Sequence, residues 1–118
     1  MSKELESEER MDIRRVLESL NEIRMISAQM SISQVMSFLT VALNEGKSLK
    51  ELAELMDCKM NTMSRQLIDL GPRNRRMEEG YQLIQSRQDP FEYRKNQYTL
   101  TPRGRHLIKA ILKHMGKP

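Results

Sequence analysis

The 118 residues are 38% apolar and 31% charged, with 4% aromatics and no Trp, the balance of one domain with a modest core and not of a disordered chain. No run approaches the roughly 20 apolar residues a bilayer-spanning helix needs, the N-terminal MSKELESEER leads into no apolar signal stretch, and the lone Cys58 excludes an internal disulfide framework; the expected setting is the cytoplasm, with no membrane association. The net charge of +4 is uneven: residues 1–45 hold five Lys/Arg against eight Asp/Glu and residues 46–118 fifteen against eight, which points either to a polyanionic partner for the second part or to a solvated basic surface.

In chain order, Ile13, Val16, Leu17, Leu20, Ile23 and Ile26 recur at spacings of three and four with no Gly or Pro between them, which predicts an amphipathic helix over Glu4–Ala28. So long a stripe exceeds what a small core can cover, so a second chain is its expected partner. Ser31-Ile-Ser-Gln34 is a capping-box pattern that opens a second helix. Val35, Phe38, Leu39, Ala42 and Leu43 form its expected apolar face, and Gly46 is its stop. Ser48-Leu-Lys-Glu51 repeats the capping pattern for a short third helix to about Met56. Asp57-Cys58-Lys59 is a tight connection, and a fourth helix runs from Met60 to Leu70, ended by Gly71-Pro72.

A basic loop, Arg73-Asn74-Arg75-Arg76, separates these helices from two predicted strands, Tyr81–Arg87 and Asn96–Leu100, arranged around Asp89-Pro90. Thr101-Pro102 starts a last helix, with a hydroxyl at the cap and Pro where a missing N–H is harmless. Leu107, Ile108, Ile111, Leu112 and Met115 give that helix an apolar face. The ten Met are expected to fill gaps among Leu, Ile and Val.

Two short helices joined by three residues and followed by a hairpin describe a winged helix-turn-helix: mainly α, with a small β-hairpin. At 100° per residue, Met60, Met63, Leu67 and Leu70 of the second short helix face the core, while Asn61, Thr62, Arg65 and Asp69 point away. Arg forks to guanine, Asn pairs with adenine, and Thr hydrogen-bonds or touches a methyl; Asp69 lies farther out, placed to orient Arg65. On the residues alone, such a polar outer face is more often simply a solvated one.

From Ser31 onward the chain resembles the MarR family of dimeric winged-helix regulators. Two places carry the resemblance: Thr62-Met-Ser-Arg65 at the recognition helix, and Asp89-Pro-Phe-Glu-Tyr-Arg94 followed by Leu100-Thr101-Pro-Arg-Gly104. The family's wing reads Asp-x-Arg-Asp-x-Arg and then Leu-Thr-x-x-Gly; here Phe91 replaces its first Arg. The resemblance implies that Asp89 braces the wing and that Arg94 enters the minor groove or meets phosphate. With the long apolar stripe of the first helix, this gives three expected regions: an N-terminal dimerisation helix over 1–30, the DNA-binding region over 31–101 and a C-terminal dimerisation helix over 102–118.

The connection from Leu70 to Gly80 is longer than the family usually has. Its Arg73, Arg75 and Arg76 either add phosphate contacts or solvate a loop. The family's usual pair of C-terminal helices is here about one, and no residue pattern identifies a small-molecule effector.

The expected function is sequence-specific binding of double-stranded DNA in transcription regulation, as a homodimer on an inverted repeat. Asn61, Thr62 and Arg65 are the expected base readers. Ser48, Lys50, Lys59, Arg73, Arg75, Arg76, Arg87, Arg94 and Lys95 are the expected phosphate or minor-groove contacts. Ile13, Val16, Leu17, Leu20 and Ile23, with Ile108, Ile111, Leu112 and Met115, are the expected dimer surface.

The alternative is a winged-helix protein-interaction or replication accessory module that does not read DNA sequence. An apolar outer face on the recognition helix would favour it; here that face is polar, with Ile68 near its edge. No Gly-rich phosphate loop or nucleophile elbow occurs. His106, His114 and Cys58 lack zinc-ligand spacing. No enzyme activity, metal or other cofactor is expected.

Overall fold

Among residues 4–91 and 95–117, which the computed structural model describes, five helices and one hairpin follow in the order α1 (Ser7–Ile26), α2 (Ile32–Leu43), α3 (Leu49–Leu55), α4 (Met60–Leu70), β1 (Ile84–Gln88), β2 (Asn96–Leu100) and α5 (Pro102–His114). Three capping boxes set the helix starts. Ser31 pairs with Gln34 and Ser48 with Glu51, as their spacing predicts, and Glu6 with Glu9 opens α1. In each, the cap side chain accepts from the third helical N–H and that residue's side chain answers the cap's own N–H. Thr101 accepts from the Gly104 N–H at 3.0 Å to open α5. Gly46, at φ +93°, turns the chain after α2 in a conformation that favours glycine.

The core gathers one face from every element except most of α1. Phe38 and Val41 of α2, Leu52 of α3, Met63 and Leu70 of α4, and Leu83 before β1 are completely enclosed. Leu67, Ile84, Leu100 and Leu107 complete the cluster. The second helix is turned slightly from the expected face, so that Val41 is buried while Leu39 and Leu43 remain exposed. Met60, expected in the core, is 48% exposed. It is the first residue of α4, and the core residues of that helix begin one turn later, at Met63.

β1 and β2 pair antiparallel from Ile84 opposite Leu100 to Gln88 opposite Asn96. The first strand begins three residues later than its sequence texture implied. The N–H groups of Tyr81, Gln82 and Leu83 are spent on the carbonyls of Asp69, Gly71 and Leu70, and Gln82 sits at φ +59°. This segment closes the end of α4 instead of extending the hairpin. On the other edge, Lys47 bridges to Tyr98, so β2 is also anchored to the segment before α3.

Two contacts lock the hairpin to the helices. Gly104 faces the Leu83 carbonyl so closely that a Cβ there would lie 2.1 Å from its oxygen. Glu45 receives the Leu100 N–H at 2.8 Å and both terminal nitrogens of Arg105 at 2.7 and 3.0 Å. Partial burial acts to raise the Glu45 carboxyl, but the Leu100 N–H and the Arg105 guanidinium outweigh it and hold it below the usual carboxylate value. The last helix packs along α1, where the ring nitrogens of His114 face Glu22 at 2.8 Å and Glu18 at 3.4 Å.

Candidate nucleic-acid interface

Buried Leu52 and Ala53 seat α3 against the core, and the turn at Asp57, with φ +51°, redirects the chain into α4. The N–H of Cys58 closes this turn on the Ala53 carbonyl at 3.0 Å. With Met63, Leu67 and Leu70 inward, the opposite side of α4 presents Asn61, Thr62 and Arg65 to solvent. Among the described residues, none of these three side chains makes a hydrogen bond or an ion pair, so their donors and acceptors are available to a ligand. Ile68 is also exposed, at 43%, and shares the strip with Asn61 and Arg65 at i, i+4 and i+7.

Asp69 does not orient Arg65. Its carboxylate is largely enclosed and grips Arg75 instead, accepting Nη2 at 3.0 Å, Nε at 3.4 Å and the backbone N–H at 3.3 Å, with the Gln34 amide at 3.5 Å behind it. Arg75, expected at phosphate, is thus tied to Asp69 as a clamp on its loop, with its side chain still 53% exposed. Asn74 folds the same loop by accepting the N–H groups of Arg76 and Glu78. Arg73 and Arg76 remain exposed, Arg73 with a 3.4 Å contact to the Met77 carbonyl. No sequence pattern marked the Asp69–Arg75 pair, because the six-residue spacing is neither a helical nor a strand interval.

Ser48 is nearly buried, its hydroxyl accepting the Glu51 N–H at 3.3 Å. It caps α3, and with 9% of the residue exposed little of it is presented to a phosphate. Lys50 and Lys59 are exposed on α3 and at the start of α4, and Arg87 and Lys95 on the hairpin. Asp89 ties the hairpin end together: its carboxylate accepts the Phe91 N–H at 2.8 Å and the Gln97 amide at 3.3 Å, and its own N–H donates to the Lys95 carbonyl. Arg94 lies outside the described residues.

Between α4 and the hairpin runs a groove of about 430 Å³. Its lining includes Ser64, Ile68, Arg73, Asn96 and Tyr98 with the apolar Leu67, Pro72 and Ile84, and no carboxylate among the described residues. Burial pushes the Tyr98 phenol above its ordinary value, against a smaller opposing effect of its hydrogen bond with Asn96, so it remains a neutral group at neutral pH. A second, polar groove of about 570 Å³ beside the arginine loop contains Asp69, Glu78 and Glu79 as well as Arg75 and Arg76. Its mixed charge suits a polyanion less well.

The expected dimer surface divides in two. Ile13, Val16, Leu17 and Leu20 form an exposed stripe on α1, joined by Leu112 and Met115 at the end of α5. Ile23, at 6% exposure, belongs to the protein's own core, and Ile108 and Ile111 pack against that core half-buried. Ile23 is therefore unavailable to a partner, because α5 lies across that end of α1.

A helix-turn-helix followed by an antiparallel hairpin is a winged-helix architecture. No family model and no curated protein matches the sequence. Solved structures do match, and the fold is that of MarR-type regulators. One is a MarR family transcription regulator, 24% identical, with 88% of this chain covering 60% of that one at a TM-score of 0.60. A second, RV1404 from Mycobacterium tuberculosis, is 20% identical over 97% of this chain and 77% of its own, at 0.69. A third is reduced AbfR bound to DNA, 17% identical over 88% and 72%, at 0.61. The chain thus spans about three-fifths of the first of these and about three-quarters of the other two. Among the described residues, no helix is long and apolar enough to cross a membrane.

Proposed function

We propose that this protein is a sequence-specific double-stranded-DNA-binding regulator of transcription, acting in the cytoplasm as a homodimer on an inverted repeat, with no catalytic role and no cofactor. The observation that carries this reading is the exposed Asn61, Thr62 and Arg65 face of α4. Its polar groups have no internal partners among the described residues, and Met63, Leu67 and Leu70 behind it are enclosed in the core. Arg65 forks to guanine O6 and N7, Asn61 pairs with adenine, and Thr62 hydrogen-bonds or touches a methyl.

Lys50, Lys59, Arg73, Arg76, Arg87 and Lys95 supply phosphate contacts around that face. These set register and affinity but carry no sequence information. The stripe on α1 and the end of α5 bring two copies together, which spaces two recognition helices about one helical turn, roughly 10 base pairs, apart. The likeness to regulator structures, one of them solved on DNA, supports the same reading.

The test is selection of bound duplexes from a random-sequence pool at physiological salt. Enrichment of an inverted repeat with half-sites one turn apart is the expected result. No enrichment, with binding that vanishes as salt rises, would leave only phosphate attraction and favour a protein-docking role for α4.

A further inference from the structure

We propose that Ile68 reads the 5-methyl group of a thymine in the major groove, an assignment that rests on the DNA-binding reading above. Ile68 is the apolar member of an otherwise polar strip, on the exposed side of α4 with Asn61 and Arg65. Its side chain lines the groove between α4 and the hairpin and is 43% exposed. Beside Ile68 the walls of that groove carry hydroxyl, amide and phenol groups and Arg73 over a floor that includes Leu67, Pro72 and Ile84, with no carboxylate among the described residues. Such a surface admits a polyanion and repels none of it.

At 1.5 Å per residue, Ile68 lies about 10 Å along the helix from Asn61, close to three base-pair steps of roughly 3.4 Å. A helix lying along a groove about 12 Å wide therefore brings Asn61, Arg65 and Ile68 to neighbouring base edges. Those edges offer hydrogen-bond donors and acceptors that a branched aliphatic side chain cannot use. The thymine methyl is the apolar feature among them, and burying it against Ile68 removes both from water.

The experiment uses the full chain and the duplex recovered by selection, replacing each thymine of a half-site in turn by deoxyuridine, which removes only the methyl. One replacement is expected to weaken wild-type binding about fourfold per half-site, the equivalent of one buried methyl group. The same replacement should leave Ile68→Ala unchanged, and Ile68→Ala should bind the all-thymine duplex more weakly by at least that factor. Ile68→Val, which keeps the branch at Cβ, should retain most of the methyl response. Circular dichroism checks that both variants keep the wild-type fold.

An enriched site with no thymine in its half-sites, or equal responses of wild type and Ile68→Ala at every thymine, would overturn the assignment alone. Equal affinity of the two proteins for every duplex would do the same and leave Ile68 as a candidate contact for a protein surface. Failure of the wild type to enrich any duplex would overturn the DNA-binding reading, and the assignment with it.

Discussion

Leu17 and Leu20 give the sharpest handle on the assembly. They are 65% and 45% exposed on α1, so together they present about one leucine's worth of surface to solvent. Burying that surface is worth about 1.5–3 kcal/mol, and a two-fold interface uses it twice. The double variant Leu17→Asp/Leu20→Asp should therefore weaken self-association by about 3–6 kcal/mol, or two to four powers of ten in Kd. The desolvation of the new carboxylates adds to that loss. Sedimentation velocity across a concentration series reads the shift directly.

Because both side chains lie outside the protein's own core, the far-ultraviolet dichroism should stay that of the wild type. Leu43→Asp is the control: Leu43 is 85% exposed but sits on α2, away from the stripe, and should leave association unchanged. A double variant that dimerises as tightly as the wild type would refute the assignment of this stripe to the interface, as would a wild type that is monomeric throughout.

Three further outcomes follow from the packing and the charges. Gly104→Ala places a methyl 2.1 Å from the Leu83 carbonyl oxygen; the backbone must shift, and thermal unfolding should show a loss of about 1–3 kcal/mol, whereas an unchanged Tm would mean that α5 moves freely against the hairpin. Glu45 has a folded-state carboxyl value below its ordinary 4.5, so its stabilising contribution is complete above 4.5 and disappears as pH falls through the lower, folded value. Glu45→Gln should accordingly be less stable than wild type at neutral pH, with the difference shrinking in acid; a gap independent of pH would refute the linkage. Asp69→Ala frees Arg75 and should cost about 1.5–3 kcal/mol in urea unfolding, the range for hydrogen bonds to a charged group, while making residues 72–80 more sensitive to limited proteolysis; unchanged cleavage there would show that Asn74 holds the loop alone.

The helical framework was legible because its signals are local. The boundaries of α4 are those its sequence implies, Met60 to Leu70, and Ser31 and Ser48 announce their helices through partners only three residues away. The inward set Met63, Leu67 and Leu70 follows from a 100° step, but Met60 does not, since periodicity fixes a residue's direction and not how far the core extends beneath it.

What escaped the sequence depends on distant contacts. Glu45 meets the Leu100 N–H across 55 positions, and no spacing rule reaches that far. Arg75 reads as one basic loop residue among three until folding brings Asp69 beside it. Ser48 carries both a cap and an expected phosphate contact in the sequence, and only folding shows how little of it is left exposed. β1 starts later than its composition implies because Tyr81, Gln82 and Leu83 are strand-like in type, while their N–H groups are taken by the end of α4.

The central claim is that α4 reads bases through the face built on Arg65, and repeating the duplex selection with Arg65→Ala at fixed salt tests it most directly. The account predicts the wild-type inverted repeat with one position in each half-site relaxed, and a loss of about 1–3 kcal/mol per contact on the wild-type site. Equal weakening on every sequence, with a shallower dependence on salt and no relaxed position, would contradict it and make Arg65 a phosphate contact.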